Sequence, residues 1–172
     1  MKKLLLLCFL AFSLTGPALA DEKIDPAAFI CAELVALPTT TFEALQIDGY
    51  ASAAIGNTVA DPQIMALLLE QVYLACQTEP TEKVLTFWQE IRETMPNTDE
   101  SPWRADKTTC GDYSANEEDG SGFVIWLDGY NRQKSGKPAS VLENDATLNA
   151  FLKSCADQPK TLLLDVLGKN AK

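Results

Sequence analysis

Two cysteine pairs set at one repeated interval constrain this chain more than any other feature. Cys76 follows Cys31 by 45 positions, and Cys155 follows Cys110 by 45. The surroundings repeat as well. Asp48-Gly49-Tyr50 lies inside the first interval and Asp128-Gly129-Tyr130 inside the second. A glycine stands seven positions after each motif glycine, at Gly56 and Gly136, and a proline four after each second cysteine, at Pro80 and Pro159. Before the second cysteines, Leu69, Val72 and Tyr73 match Leu148, Phe151 and Leu152. After them, Val84, Leu85, Phe87 and Trp88 match Leu163, Leu164, Val166 and Leu167. The second copy has gained one residue between its first cysteine and its motif. Four cysteines allow three pairings. A duplicated unit that carries its own staple selects Cys31–Cys76 and Cys110–Cys155, with crossed bridges between the copies as the rival.

An oxidising destination is implied by the first residues. Met1-Lys2-Lys3 is followed by an apolar run from Leu4 to Leu14 and by Ala18-Leu19-Ala20. This is the layout of a secretory signal peptide, residues 1–20, with the mature chain starting at Asp21. The run is shorter than the roughly 20 residues that a membrane helix needs. Cys8 follows the bulky Leu7, where a lipid-anchor signal wants a small residue. No later segment is apolar enough to insert into a membrane. The expected destination is an oxidising compartment outside the cytoplasm, where paired cysteines stay oxidised.

Charge and composition remove several classes of function. Losing Lys2 and Lys3 lowers the 14 basic residues to 12, against 24 acidic ones, so the mature net charge is 12 − 24 = −12. Nucleic acid and anionic membranes both want a basic surface and are excluded as partners. There is no histidine, which removes the commonest general base and metal ligand. With the cysteines in disulfides, no metal, cofactor or catalytic residue is expected. No nucleophile elbow, Cys-x-x-Cys or phosphate-binding glycine loop occurs, and the chain does not read as an enzyme.

The periodicity is helical. Ile64 to Cys76 carries apolar residues at three- and four-residue spacing, with Asp61-Pro62 as cap and first position. Thr81 to Met95 predicts another helix, capped by Thr78 or Thr81. Phe42–Ala54 and Phe123–Gln133 predict the helices that carry the motif. Asn144 or Asp145 caps the helix of Cys155. Pro26–Leu37 and Cys110–Ala115 predict short opening helices or turns. No alternating β-branched run argues for a sheet. The expected fold is all-α: two small disulfide-stapled helical bundles in tandem, at 21–95 and 106–172, joined by a polar linker at 96–105 with two prolines. Cores of this size are marginal, and closing a loop of about 45 residues contributes on the order of 4 kcal/mol.

Asp48, Gly49, Tyr50 and Asp128, Gly129, Tyr130 form the one repeated polar signature. A glycine inside a helix costs about 1 kcal/mol, so close approach of another helix or of the disulfide should offset it. The aspartates read first as structural acceptors, and second as carboxylates whose protonation loosens packing. Glu117-Glu118-Asp119 and Asp99-Glu100 read as solvated loops. Trp88 and Trp126 read as core. Trp103 reads as packing across the two units, or else as an exposed binding spot.

These features resemble the HdeA/HdeB family of periplasmic acid-stress chaperones. The second copy carries the likeness best, through Cys110, Phe123 to Tyr130, Gly136, Phe151 to Pro159 and Leu162 to Leu167. The first copy keeps Cys31, Ile47 to Tyr50, Gly56 and Cys76 to Pro80. The resemblance implies a helical unit with one disulfide that rests inactive near neutral pH. Acid would then uncover apolar surface that holds unfolded client proteins. Two units in one polypeptide depart from that pattern, so unit-to-unit docking replaces a homodimer, or each unit pairs with another chain. The other reading is a constitutive envelope binding module without chaperone activity.

Overall fold

The computed structural model describes residues 24–98 and 101–171. The expected signal peptide and the pair Asp99-Glu100 lie outside the described residues. Among those described there are eight α-helices and no strand: α1 Cys31–Ala36, α2 Thr41–Ile55, α3 Met65–Thr78, α4 Val84–Thr94, α5 Cys110–Ala115, α6 Glu117–Ser135, α7 Asp145–Ala156 and α8 Leu163–Asn170, with a 3-10 turn at Pro62–Ile64 before α3. None of the helices is long and apolar enough to cross a membrane.

Local chemistry sets most of the ends. The Thr40 hydroxyl accepts from Glu43 N–H at 3.3 Å while the Glu43 carboxylate accepts from Thr40 N–H at 2.6 Å, a reciprocal cap that starts α2. Thr109 and Asp112 do the same for α5. The Asp61 carboxylate accepts from Gln63 N–H, and Asn144 accepts from Thr147 N–H ahead of α7. Both motif helices stop at a glycine in the left-handed region, Gly56 at φ 76° and Gly136 at φ 66°. That conformation is why the two glycines recur at one distance from the motif.

Buried apolar residues gather in two clusters, each around one disulfide. Cys31–Cys76 sits with Phe29, Leu34, Ile47, Val72 and Trp88, and Cys110–Cys155 with Trp126, Leu127, Phe151, Leu163 and Leu167. The pairing is the one the repeat selects. Backbone bonds at matching positions close the two clusters alike. Cys31 N–H donates to Glu82 C=O at 2.8 Å, and Cys110 N–H to Thr161 C=O at 2.9 Å. Val84 N–H donates to Phe29 C=O at 3.0 Å, and Leu163 N–H to Thr108 C=O at 2.9 Å. In both places a short extended segment ahead of the last helix lies antiparallel to the one ahead of the first cysteine.

This pairing corrects one expected helix and fixes where turn gives way to helix in another. The helix expected at 81–95 begins at Val84, because Lys83 ahead of it is extended and bridges Ile30. Neither Thr78 nor Thr81 caps it; Thr78 donates instead to Ala75 C=O. For the same reason residues 26–28 form a turn and α1 waits until Cys31. A second correction concerns the acidic string. Glu117 and Glu118 are not loop but the first residues of α6. Carboxylates there meet the positive end of the helix dipole, which favours helix over the expected solvated connection.

Each bridge closes a 45-residue separation. Replacing either pair by serine (Cys31 with Cys76, or Cys110 with Cys155) should lower the unfolding free energy by about 4 kcal/mol. Urea unfolding of the two double variants beside the parent measures it.

Candidate functional site

The repeated motif lies where α2 and α6 cross. The two helices touch along the most extensive helix–helix contact among the described residues, and their glycines make it possible. A Cβ built on Gly49 would lie 1.8 Å from the Trp126 carbonyl oxygen, and one on Gly129 would lie 2.0 Å from the Gln46 carbonyl oxygen. No other residue fits at either place. Gln46 and Trp126 stand at the same position in each copy, two before the aspartate. Each glycine therefore rests on the same carbonyl of the other copy.

The aspartates use that relation a second time. Asp48 is fully buried and accepts from the Trp126 indole N–H of the other half at 2.8 Å. Asp128, also fully buried, accepts from the Gln46 side-chain amide at 3.0 Å. The residue two before each aspartate thus donates across the crossing to the opposite aspartate. The pattern is two-fold in position and unlike in chemistry, one donor being an indole and the other an amide.

Around each aspartate the halves then differ. Asp48 accepts from Trp88 Nε1 at 3.0 Å and pairs with Arg92, whose Nε lies 3.3 Å from Asp48 Oδ1. Val84, Trp88 and Arg92 form the buried stripe of α4. At the positions matching Trp88 and Arg92 the second copy has Leu167 and Ala171. Asp128 turns instead to the loop after α6 and accepts from Ser140 Oγ at 2.8 Å and Val141 N–H at 3.1 Å. Of the motif tyrosines, Tyr130 is buried and Tyr50 half-buried. The Tyr130 ring stacks on Trp126 at 5.1 Å, in a ladder that continues through Phe123 to Trp103.

Arg92 also ties the crossing to the segment expected as a linker. Its guanidinium donates to Val59 C=O, Met95 C=O and the Asn97 side chain. Asp61 holds Thr98 through N–H and hydroxyl at 2.6 and 2.7 Å. Ala60 N–H donates to Trp103 C=O and Ala105 N–H to Thr58 C=O. The stretch 97–105, where described, is a strap pinned to the loop after α2. Trp103 is buried in the cluster of the second disulfide, so it is not an exposed binding spot.

The sequence singled out the aspartates and glycines but missed Gln46, Trp88, Arg92 and Ser140 as their partners. Arg92 left a signal: a charged residue on an apolar i, i+4, i+8 stripe needs a buried acceptor.

Burial pushes the carboxyl of Asp48 above its ordinary value, and Arg92, Trp88 and Trp126 oppose it only in part. Burial likewise raises Asp128, against Ser140, Val141, Arg132 and Gln46. A carboxyl raised in the fold holds its proton better folded than unfolded. Its stabilising share is complete below the ordinary value of 3.8 and is lost as pH rises through the folded value. With both carboxyls raised, protonation of the motif favours the folded chain, which argues against the second reading of these aspartates. Asp106 and Asp112 behave oppositely. Hydrogen bonds from Arg104 hold Asp106 below 3.8, and those from Thr109 hold Asp112 below it. Their share is present above 3.8 and is lost as pH falls through their folded values. Both lowered carboxyls lie in the run 104–112 that leads into α5.

Two measurements follow. Gly49→Ala should cost about 3 kcal/mol or more by overpacking against backbone. Gly122→Ala, whose Cβ would meet only Leu45 Cδ1 at 3.5 Å, should gain up to about 1 kcal/mol; urea unfolding at pH 7 compares them. Asp128→Asn should abolish the share of stability that Asp128 gives up as pH rises above 3.8, read as the difference from the parent in urea midpoints at stepped pH. Among the described residues no group of His, Cys, Asp and Glu is placed to hold a metal ion. No protein-family model, no curated protein and no solved structure matches this chain.

Proposed function

We propose that this is an exported, periplasmic client-holding protein of the acid-stress type. In this reading it is a tandem duplication of one disulfide-stapled helical unit, at 21–95 and 106–172, and its two copies dock on each other. The docking within one chain takes the place of a homodimer. The clients are unfolding proteins, held on apolar surface and not processed.

One observation carries the reading. The crossing of α2 and α6 hides apolar surface between the halves, where Leu45 and Ala53 of α2 pack against the cluster that holds Trp126, Leu127 and Tyr130. Each half has its own disulfide. The halves can therefore part and uncover that surface without either losing its staple. The drive in acid is charge. With its 24 carboxylates neutral, the chain keeps only its basic residues, and like charges then push the halves apart. Asp106 and Asp112 add to this drive by giving up their stabilising share as pH falls.

The raised carboxyls of Asp48 and Asp128 favour a second reading, a constitutive envelope binding module whose crossing stays shut in acid. One experiment separates the two. A dye for exposed apolar surface and a client-aggregation assay are followed from pH 7 to pH 2. Client holding requires the dye signal to rise and aggregation to be suppressed at pH 2–3 but not at pH 7. A flat dye signal with unprotected clients leaves the binding module.

A further inference from the structure

Four large apolar side chains stand exposed among the described residues: Leu37, Phe42, Leu67 and Leu74. Two of them, Leu37 and Phe42, converge on one end of the first half. There α1, the start of α2 and the segment from Ile24 enclose an open groove of about 530 Å³. Its apolar lining includes Ile24, Phe29, Leu37 and Pro38. Leu37 is 77% exposed, although it belongs to a residue type that is usually buried. Phe42 borders the adjoining recess, which shares Ile24 and Asp25 with the groove.

The rim is acidic. Asp25, Glu33 and Glu43 line the groove, and among the described residues no lysine or arginine does. All three carboxylates are fixed by local bonds: Asp25 to Ala27 N–H at 3.1 Å, Glu33 to Ile30 N–H at 3.0 Å and Glu43 to Thr40 N–H at 2.6 Å. They are held in place before any partner arrives, which lowers the ordering cost of binding.

We propose that this groove docks a short cationic peptide segment of a partner protein at neutral pH, with an apolar side chain against Leu37 and flanking Lys or Arg on the three carboxylates. A second acidic copy of this chain would bring like charges together there, whereas a basic segment complements the rim. The groove lies outside the α2–α6 crossing and needs no parting of the halves.

The probe is a labelled peptide alternating lysine and leucine, titrated at pH 7 into the full exported protein and followed by fluorescence anisotropy. Its counterpart has glutamate for each lysine. Binding of the lysine peptide should weaken as salt is raised. It should fall about tenfold in Leu37→Lys, which removes one leucine contact and adds a like charge. Leu74→Lys on α3 should leave it unchanged. Circular dichroism confirms that both variants keep the helical fold, since both positions are exposed. Equal binding of the glutamate peptide, no effect of Leu37→Lys, or no binding of the lysine peptide overturns the proposal. So does sedimentation showing a dimer that Leu37→Lys dissolves. Client holding is read in acid, so either idea can fail alone.

Discussion

Everything in this molecule is arranged around one backbone contact, the seating of a helical glycine on a carbonyl of the opposite helix, made twice. At Gly49 and Gly129 any side chain would overlap main-chain atoms of the other half. The close approach brings the donors of Gln46 and Trp126 within reach of the opposite aspartates. It also sets the cost of the arrangement, since two carboxylates are left where water does not reach. A buried polar group without partners is expensive, and the structure supplies each carboxylate with donors from both halves.

The disulfides and the crossing divide the labour of stability. Each cluster is small, and its bridge limits how far that part of the chain can open. Neither bridge joins the two clusters. Their union depends on the crossing and on the strap from Asn97 to Ala105. Arg92 belongs to both, since the same guanidinium faces Asp48 and holds Val59 and Asn97.

What the sequence made legible follows from how local each cause is. The cysteine pairing, the helix at Cys110–Ala115 and the caps at Asp61 and Asn144 depend on residues close in the chain or on the repeat, and the structure has them. The late start of α4 depends on Glu82 meeting Cys31, a partner far along the chain that no periodicity announces. The motif glycines announced a close approach but not its partner, because nothing near Gly49 says that Trp126 faces it. The helical start at Glu117 was hidden by composition: a run of acidic residues and glycines looks like loop until the helix dipole is counted.

The unlike donors at matching positions have an evolutionary consequence. In a pair of identical chains, every substitution appears on both sides of the dyad at once. A position there cannot be glutamine on one side and tryptophan on the other. Under the proposed duplication, joining both partners in one polypeptide lifts that restriction, and Gln46 and Trp126, like Arg92 and Ala171, differ at matching positions. Each half is then a poor substitute for the other: a first half facing its own twin would set two amides at the crossing and leave Asp48 without its indole.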